Sequence, residues 1–374
     1  MVNNPFILYG YESEKYFCDR RAETAELKRL VTNGNNVALI APRRIGKTGL
    51  IENLFHQRDI MRQYYTFLID IYATKNIEEM VLALSTSMLS SLRPKGTRVM
   101  QHFVSLLTSL RAGVSFDPMG NPSWSLEVGN IKQPWTTLDE IFRYINEADK
   151  PCIVAIDEFQ TVSTYADSKI EALLRTYIQH CRNAQFIFSG SQRSMMGEMF
   201  NSPARPFYQS TSTMTLGCIP LEKYIPFAQA HFKDAGKQLQ SDVVASVYQQ
   251  FEGITWYVQR VLNELFSMTN PGEECTSDMV SLAVANILRA NEFTYQSTLF
   301  QLPPKQKELL IAISKEGKAQ NLMSSAFIRK YHLPGSSSVQ SATKGLLDKN
   351  FITMSLGIYE VYDKFFALWL VGQK

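Results

Sequence analysis

Several features that would assign a chain to a specialised class are missing from this sequence of 374 residues. Its five cysteines form no C-x-x-C pair and its five histidines lack the spacing of metal ligands, so neither a disulfide framework nor a zinc site is indicated. No apolar run approaches the roughly 18 residues of a membrane span, and the first residues lack the basic-then-apolar order of a signal peptide. We therefore expect free thiols and a cytoplasmic location.

A strong charge of one sign is also missing. The formal net charge is +3, which implies no partner, and the hydrophobic content of 45% is typical of a globular protein. The charge is unevenly distributed, because residues from 301 onward contain 10 Lys/Arg and 5 Asp/Glu whereas the rest contains 28 and 30. The C-terminal segment is therefore the basic part of the chain, and any nucleic-acid contact is expected there.

The most informative stretch is the apolar run Val37–Ile40, followed by a short loop and by Gly46-Lys47-Thr48 at the start of a helical pattern. Strand, loop and helix in this order are the context of a Walker A phosphate-binding motif. The free amides of a helix N-terminus favour a polyphosphate, to which Lys47 would add charge, and Thr48 would ligate Mg²⁺. The candidate nucleotide-binding residues are Ala41, Pro42, Arg43, Arg44, Ile45, Gly46, Lys47, Thr48 and Gly49.

One position departs from the motif, because Ala41 stands where G-x-x-x-x-G-K-[ST] has its first glycine. If the loop requires a positive φ there, alanine costs about 1 kcal/mol relative to glycine. A free-energy cost of this size corresponds to a less than about tenfold loss of nucleotide affinity. We therefore expect weakened nucleotide binding, not its loss.

A later apolar run, residues 152–156, ends in Asp157 and Glu158, the form of a Walker B motif. Asp157 would hold Mg²⁺ through its water shell, and Glu158 would act as the general base toward the attacking water. A further strand is predicted within residues 185–193 and also ends in polar residues. ATPases can place a side chain that senses the γ-phosphate at this position. Ser191 is the preferred candidate there, and Ser189 is the alternative.

The order of these patterns predicts an α/β fold of the P-loop NTPase (ASCE/AAA-like) type in residues 1–221, with helices on both faces of a parallel sheet. Residues 111–135 break the alternation and indicate either an inserted hairpin or a surface loop. Residues 222–299 predict a helical lid without a convincing strand. Residues 300–374 predict a winged helix-turn-helix domain, in which the third helix, 336–348, would be the recognition helix.

The motifs together resemble the archaeal-type ATPase family, an AAA-related, STAND-like group. The resemblance rests on residues 42–48, 156–160 and 189–191 and extends over nearly the whole chain, including residues 17–20 before the Walker A motif. It implies ATP and Mg²⁺ as ligands and hydrolysis that drives a switch between the lid and the winged helix. The alternative is a regulatory module that binds nucleotide and turns it over slowly or not at all.

The resemblance leaves other assignments open. Residues 16–21 (YFCDRR) either line the adenine, as in many P-loop ATPases, or form a packing helix with solvated arginines. The winged helix would bind DNA or protein, and a homo-oligomer is a further partner class.

Two further departures concern nucleotide sensing. Gly253-Ile254-Thr255 stands where the family often has G-x-P, and residues 206–210 (PFYQS) lack the arginine of the family's P-L-Y-G-R motif. Arg205 and Arg193 are the candidate substitutes for that arginine, within the subunit or across an interface. The alternative for each is an ordinary surface arginine.

Overall fold

We describe the fold from a computed structural model, which covers residues 4–92, 97–109, 114–116, 122–124, 131–191 and 193–373. The chain divides into two compact units. The sheet unit is Ile7–Lys223, and the helical unit is Tyr224–Lys374 together with the N-terminal residues up to Phe6.

The described part of the sheet unit alternates strands and helices. Its strands are β1 (Val37–Ile40), β2 (Tyr65–Asp70), β3 (Val114–Phe116), β4 (Pro122–Trp124), β5 (Cys152–Asp157), β6 (Ala184–Gly190) and β7 (Ser212–Thr215). Its helices are α1 (Arg21–Thr32), α2 (Lys47–Phe55), α3 (Arg58–Gln63), α4 (Ile77–Leu92), α5 (Thr97–Leu106), α6 (Pro134–Glu147), α7 (Ile170–His180) and α8 (Arg193–Asn201), with 3-10 helices at Glu14–Tyr16 and Phe159–Thr164.

Five of these strands form one parallel sheet in the order β2-β5-β6-β1-β7. Strands β1 and β5 are buried along their whole length, as expected when helices cover both faces of a parallel sheet. Strand β6 lies between them, and Asp70 at the end of β2 is in register with Asp157 at the end of β5. The carboxyl ends of parallel strands share one edge, so the polar residues that follow them converge there.

Two segments of the sheet unit differ from or refine the predictions. The interruption at 111–135 contains β3 and β4, which pair antiparallel with Val114 opposite Trp124, while the predicted turn between them lies outside the described residues. The run at 214–219 in the sequence predicts a fifth strand there, but the strand forms at Ser212–Thr215. It ends there because its partner β1 ends at Ile40, opposite Thr215.

The described part of the helical unit contains mostly helices. They are α9 (Leu221–Asp234), which begins in the sheet unit, α10 (Ser241–Gln250), α11 (Thr255–Met268), α12 (Asp278–Ala290), α13 (Glu292–Phe300), α14 (Pro304–Glu316), α15 (Ser325–Lys330), α16 (Ser336–Asp348) and α17 (Lys364–Val371). Its strands are β8 (Gln238–Leu239), β9 (Glu274–Cys275), β10 (Ile352–Ser355) and β11 (Ile358–Val361). Among the residues described, none of the helices combines the length and the apolar character that a membrane span requires.

Strands β8 and β9 pair in parallel, so the segment 222–299, in which the sequence shows no convincing strand, contains this one short pair. Two residues are too few to produce an alternating pattern in the sequence. Farther along the chain, β10 and β11 form an antiparallel hairpin. Its turn is at Leu356 and Gly357, both with positive φ, as a two-residue hairpin turn requires.

Candidate active site

The loop between β1 and α2 places Lys47 at the N-terminus of α2. Arg44 and Gly46 have left-handed backbones with φ of 66° and 96°, a geometry that turns successive amides toward an anion. The Lys47 side chain is only 6% exposed, and its ammonium donates to the carbonyl oxygens of Ala41 at 3.3 Å and Pro42 at 3.4 Å. Charge-assisted hydrogen bonds are usually about 2.7–2.9 Å long, so both of these bonds are long. The ammonium can therefore still donate a shorter hydrogen bond to an anion.

The electrostatic surroundings of Lys47 have two opposing effects on its pKa. Burial disfavours the charged ammonium and lowers the pKa, and this effect outweighs the attraction of Glu158 and Asp157, which raises it. A buried lysine whose pKa is lowered in this way is suited to a phosphate oxygen.

Ala41 does not occupy the strained position that the motif comparison suggested. It is fully buried, is not among the residues with positive φ, and its amide donates to the Gly190 carbonyl at 3.2 Å. It thus extends the pairing of β1 with β6 by one residue. The condition for the expected loss of about 1 kcal/mol is therefore not met at this position.

The hydroxyl of Thr48 and the carboxylate of Asp157 meet at the carboxyl edge of the sheet. Thr48 Oγ1 donates to Asp157 Oδ2 at 2.7 Å, across 109 residues of sequence. The other carboxylate oxygen, Oδ1, accepts the hydroxyl of the fully buried Ser189 at 2.7 Å. The alternative sensor candidate therefore contacts Asp157, and it holds that carboxylate in one orientation.

Ser191, the preferred sensor candidate, contacts the second acid. Its Oγ donates to Glu158 Oε2 at 2.7 Å and accepts from Arg43 Nε at 3.2 Å. The Arg43 guanidinium also lies 5.3 Å from the centre of the Tyr72 ring, a cation–π contact that no sequence motif predicts. A chain of contacts therefore joins the loop before α2 to Glu158.

The segment 16–21 lies against this loop. Phe17 packs on Gly49, where an added Cβ would lie 3.2 Å from the ring. Arg20 is 2% exposed and donates to the carbonyl oxygens of Ile45 at 3.2 Å and Gly217 at 2.8 Å. The interpretation of solvated arginines is therefore wrong for Arg20, because its guanidinium is buried and hydrogen-bonds the backbone of the loop at Ile45.

The structure describes the side-chain contacts of only one of the two candidate arginines, Arg205. Arg205 pairs with Glu171 of α7 at 2.9 Å and lies 3.7 Å from Glu198 of α8. Burial raises the pKa of Glu171, whereas Arg205 opposes that rise. Arg193 is the first residue of α8, and its side chain lies outside the described part of the structure. Arg205 therefore connects α7 and α8 within the chain.

The oxygen donors at this edge suit one kind of metal. In the described ranges, no cluster of three His, Cys, Asp or Glu side chains could hold a metal ion. Mg²⁺ does not need such a cluster, because it is usually held by one or two protein oxygens, water and substrate phosphates. Thr48 Oγ1 and Asp157 Oδ2, 2.7 Å apart, match that pattern.

Two protein families match the chain. The family described as an ATPase domain predominantly from Archaea matches residues 17–261, and the one described as a probable winged helix domain matches residues 293–372. No curated protein matches at a significant level.

Solved structures are similar over nearly the whole chain. The Walker-type ATPase of Pyrococcus abyssi has a TM-score of 0.66 at 18% identity, with 98% of this chain and 99% of that chain covered. The ORC2 protein of Aeropyrum pernix in its ADP form gives 0.54 at 12%, covering 98% of both chains. The ORC1 protein of the same organism in complex with DNA gives 0.51 at 12%, covering 96% and 93%. The predicted fold class, a P-loop ATPase sheet followed by a winged helix, is confirmed.

Proposed function

The chain belongs to the family of ATPase domains found predominantly in Archaea, and on that premise we propose that it hydrolyses ATP with Mg²⁺ at the edge formed by β1, β5 and β6. The observation that carries the proposal is the 2.7 Å contact between Thr48 Oγ1 and Asp157 Oδ2 beside the buried Lys47 ammonium. It joins the residue types needed for a metal and a polyphosphate in one small volume.

Each of these side chains has a separate task in the proposal. The amides of the loop and of the α2 N-terminus, with Lys47, bind the phosphates, and Thr48 and Asp157 hold Mg²⁺. When bound, Mg²⁺ neutralises the charge that develops on the phosphate oxygens. Glu158 accepts a proton from the attacking water, and Ser191 holds that carboxylate in place.

Removal of the lysine amine tests the binding step. We expect Lys47→Ala to weaken ATP affinity by about 10- to 150-fold, because a charge-assisted hydrogen bond contributes about 1.5–3 kcal/mol. Calorimetric titration with ATP and Mg²⁺ measures the affinity. For the wild type, ATP at about 100 times Kd should also stabilise the fold by about 2.7 kcal/mol.

Lys132→Ala, an exposed lysine of the same unit, is the matched control and should bind ATP as the wild type does. Equal affinity of Lys47→Ala and Lys132→Ala would contradict the proposed phosphate site. If ATP raises the melting temperature of the wild type while phosphate release stays at background, the chain is instead the non-hydrolysing nucleotide-binding module.

The winged helix supports a second proposal, that the chain binds DNA through α16. Its exposed face presents Gln340, Ser341 and Lys344, side chains that hydrogen-bond base edges or phosphates. The similar ORC1 protein was solved with DNA. The residues from 301 onward also carry the chain's excess of positive charge.

Salt dependence tests this second proposal. Affinity for duplex DNA should fall as salt rises from about 50 to 200 mM, and Lys344→Ala should reduce the slope of log K against log salt by about one. Lys315→Ala, an exposed lysine of α14, is the matched control. Retention on DNA that ignores both salt and Lys344 would exclude phosphate contacts by α16 and favour a protein partner.

A further inference from the structure

Gln160 is a buried glutamine beside the general base to which the proposed mechanism gives no task. It lies in the 3-10 helix Phe159–Thr164 that follows β5, and it is 3% exposed. Its amide Nε2 donates to Glu158 Oε2 at 2.5 Å. The same carboxylate oxygen accepts the Ser191 hydroxyl at 2.7 Å. Two donors from two different elements therefore converge on one oxygen of Glu158.

The orientation of the Gln160 amide follows from its partner. An ionised carboxylate only accepts hydrogen bonds, so the NH₂ group must face Glu158 and the carbonyl oxygen must face away. That carbonyl oxygen, Gln160 Oε1, is buried without a hydrogen-bond partner in the described part of the chain. Leaving a buried acceptor unpaired costs free energy, so the contact with Glu158 is kept against a local penalty.

The amide is also confined from the side of β6. A Cβ added to Gly190 would lie 2.5 Å from Gln160 Oε1 and 2.5 Å from the side chain of the fully buried Met196. Only glycine leaves room at this position for the glutamine to reach Glu158. The missing side chain of Gly190, the last residue of β6, therefore leaves the space that the Gln160 amide occupies.

The backbone conformation of Glu158 gives a reason why neighbouring side chains such as Gln160 hold this residue in place. Glu158 has φ of 54° and ψ of 40°, a left-handed conformation that residues with a side chain rarely adopt. Such conformations persist where surrounding contacts hold them, and they are frequent at functional sites.

We propose that Gln160 is a positioning residue for Glu158, which fixes the rotation of the carboxylate so that Oε1 is left to accept the proton of the attacking water. The inference rests on the proposed ATPase function and adds a residue to it. Gln160 acts through Glu158, since its hydrogen bond goes to that carboxylate and to none of the proposed phosphate or metal ligands.

Replacement of the amide by an apolar side chain of similar length tests the inference. Gln160→Met should lower kcat by about 10- to 100-fold, the usual effect of removing a partner that orients a working side chain. KM for ATP, and the rise in melting temperature caused by ATP and Mg²⁺, should stay at wild-type values. Gln259→Met is the matched control, because Gln259 in α11 is also buried and its amide oxygen has no hydrogen-bond partner among the described residues, and kcat of this variant should not change.

A second variant changes the residue that packs against the Gln160 amide and leaves Gln160 itself in place. Gly190→Ala keeps Gln160 but displaces its amide together with the side chain of Met196, so it should reproduce the loss of kcat at unchanged KM. This variant decides the matter if Gln160→Met does not fold.

The outcomes separate this inference from the function beneath it. If wild-type phosphate release depends on Glu158 but kcat is unchanged in Gln160→Met, or in Gly190→Ala where Gln160→Met does not fold, only the positioning role is overturned. Parallel losses of kcat, ATP affinity and thermal stability would show a structural role and would also overturn it. Wild-type release no greater than that of Glu158→Gln would overturn the ATPase proposal and this inference together.

Discussion

Glu158→Gln is expected to lower the rate of ATP hydrolysis by about 10²- to 10⁴-fold while ATP binding persists. The amide cannot accept a proton from water, and the loss corresponds to the usual contribution of a positioned general base. Glutamine has nearly the same shape, so the Lys47, Thr48 and Asp157 side chains that would bind phosphate and Mg²⁺ stay in place. Phosphate release at saturating ATP measures the rate, and calorimetric titration measures the binding.

Glu147→Gln is the control for this change. Glu147 is an exposed glutamate at the end of α6, and its replacement should leave the rate at the wild-type value. Turnover by Glu158→Gln equal to that of the wild type would overturn the proposed ATPase activity. A parallel loss of ATP binding would mean that Glu158 also supports the phosphate site.

Phe188→Ala is expected to destabilise the sheet unit by about 3–5 kcal/mol, the cost of truncating a buried phenylalanine. Phe188 is fully buried in β6, and its ring centre lies 4.5 Å from that of Phe159, 5.4 Å from that of Phe200 and 5.5 Å from that of Phe207. At about 2–4 °C per kcal/mol, the melting temperature should fall by about 6–20 °C. Thermal unfolding followed by circular dichroism measures the shift.

The same substitution at an exposed phenylalanine controls for the loss of aromatic mass. Phe293 in α13 is 81% exposed, and Phe293→Ala should change stability by no more than about 0.5 kcal/mol. Because Phe159 directly follows Glu158, Phe188→Ala should also reduce turnover below its melting temperature. Equal melting temperatures for the two variants would mean that the aromatic cluster does not support the sheet.

Local patterns predicted the elements of this protein well where the pattern was long. The apolar spacing of the sequence predicts helices at 77–92, 255–268 and 336–348, and these form with those bounds as α4, α11 and α16. Their apolar residues recur at helical spacing over several turns, and such periodicity depends only on near neighbours in the sequence. The spacing at 276–292 also predicts a helix, which forms as α12 at Asp278–Ala290, whereas α13, which follows from Glu292, has no buried residue and leaves no apolar spacing to predict it from.

The candidate site was predictable to the extent that its residues form contiguous motifs. Lys47 and Thr48 follow directly from a strand, loop and helix in series, and Asp157 and Glu158 from an apolar run that ends in acids. That these two segments meet required only the rule that parallel strands end at a common edge. The choice between Ser189 and Ser191 could not be made in this way, since both follow the same strand pattern.

Only the tertiary structure determined which side chains contact each other in the candidate site. Ser189 contacts Asp157, Ser191 and Gln160 contact Glu158, and Arg205 pairs with Glu171. The chain's own residue types and spacing established a P-loop ATPase with a winged helix, because those signals are local and periodic. The register of β5 against β6 and the glycine at the end of β6 settled which side chain holds which carboxylate oxygen. Those contacts join segments about 30 or more residues apart or depend on the absence of a single Cβ, and neither leaves a periodic trace in the sequence.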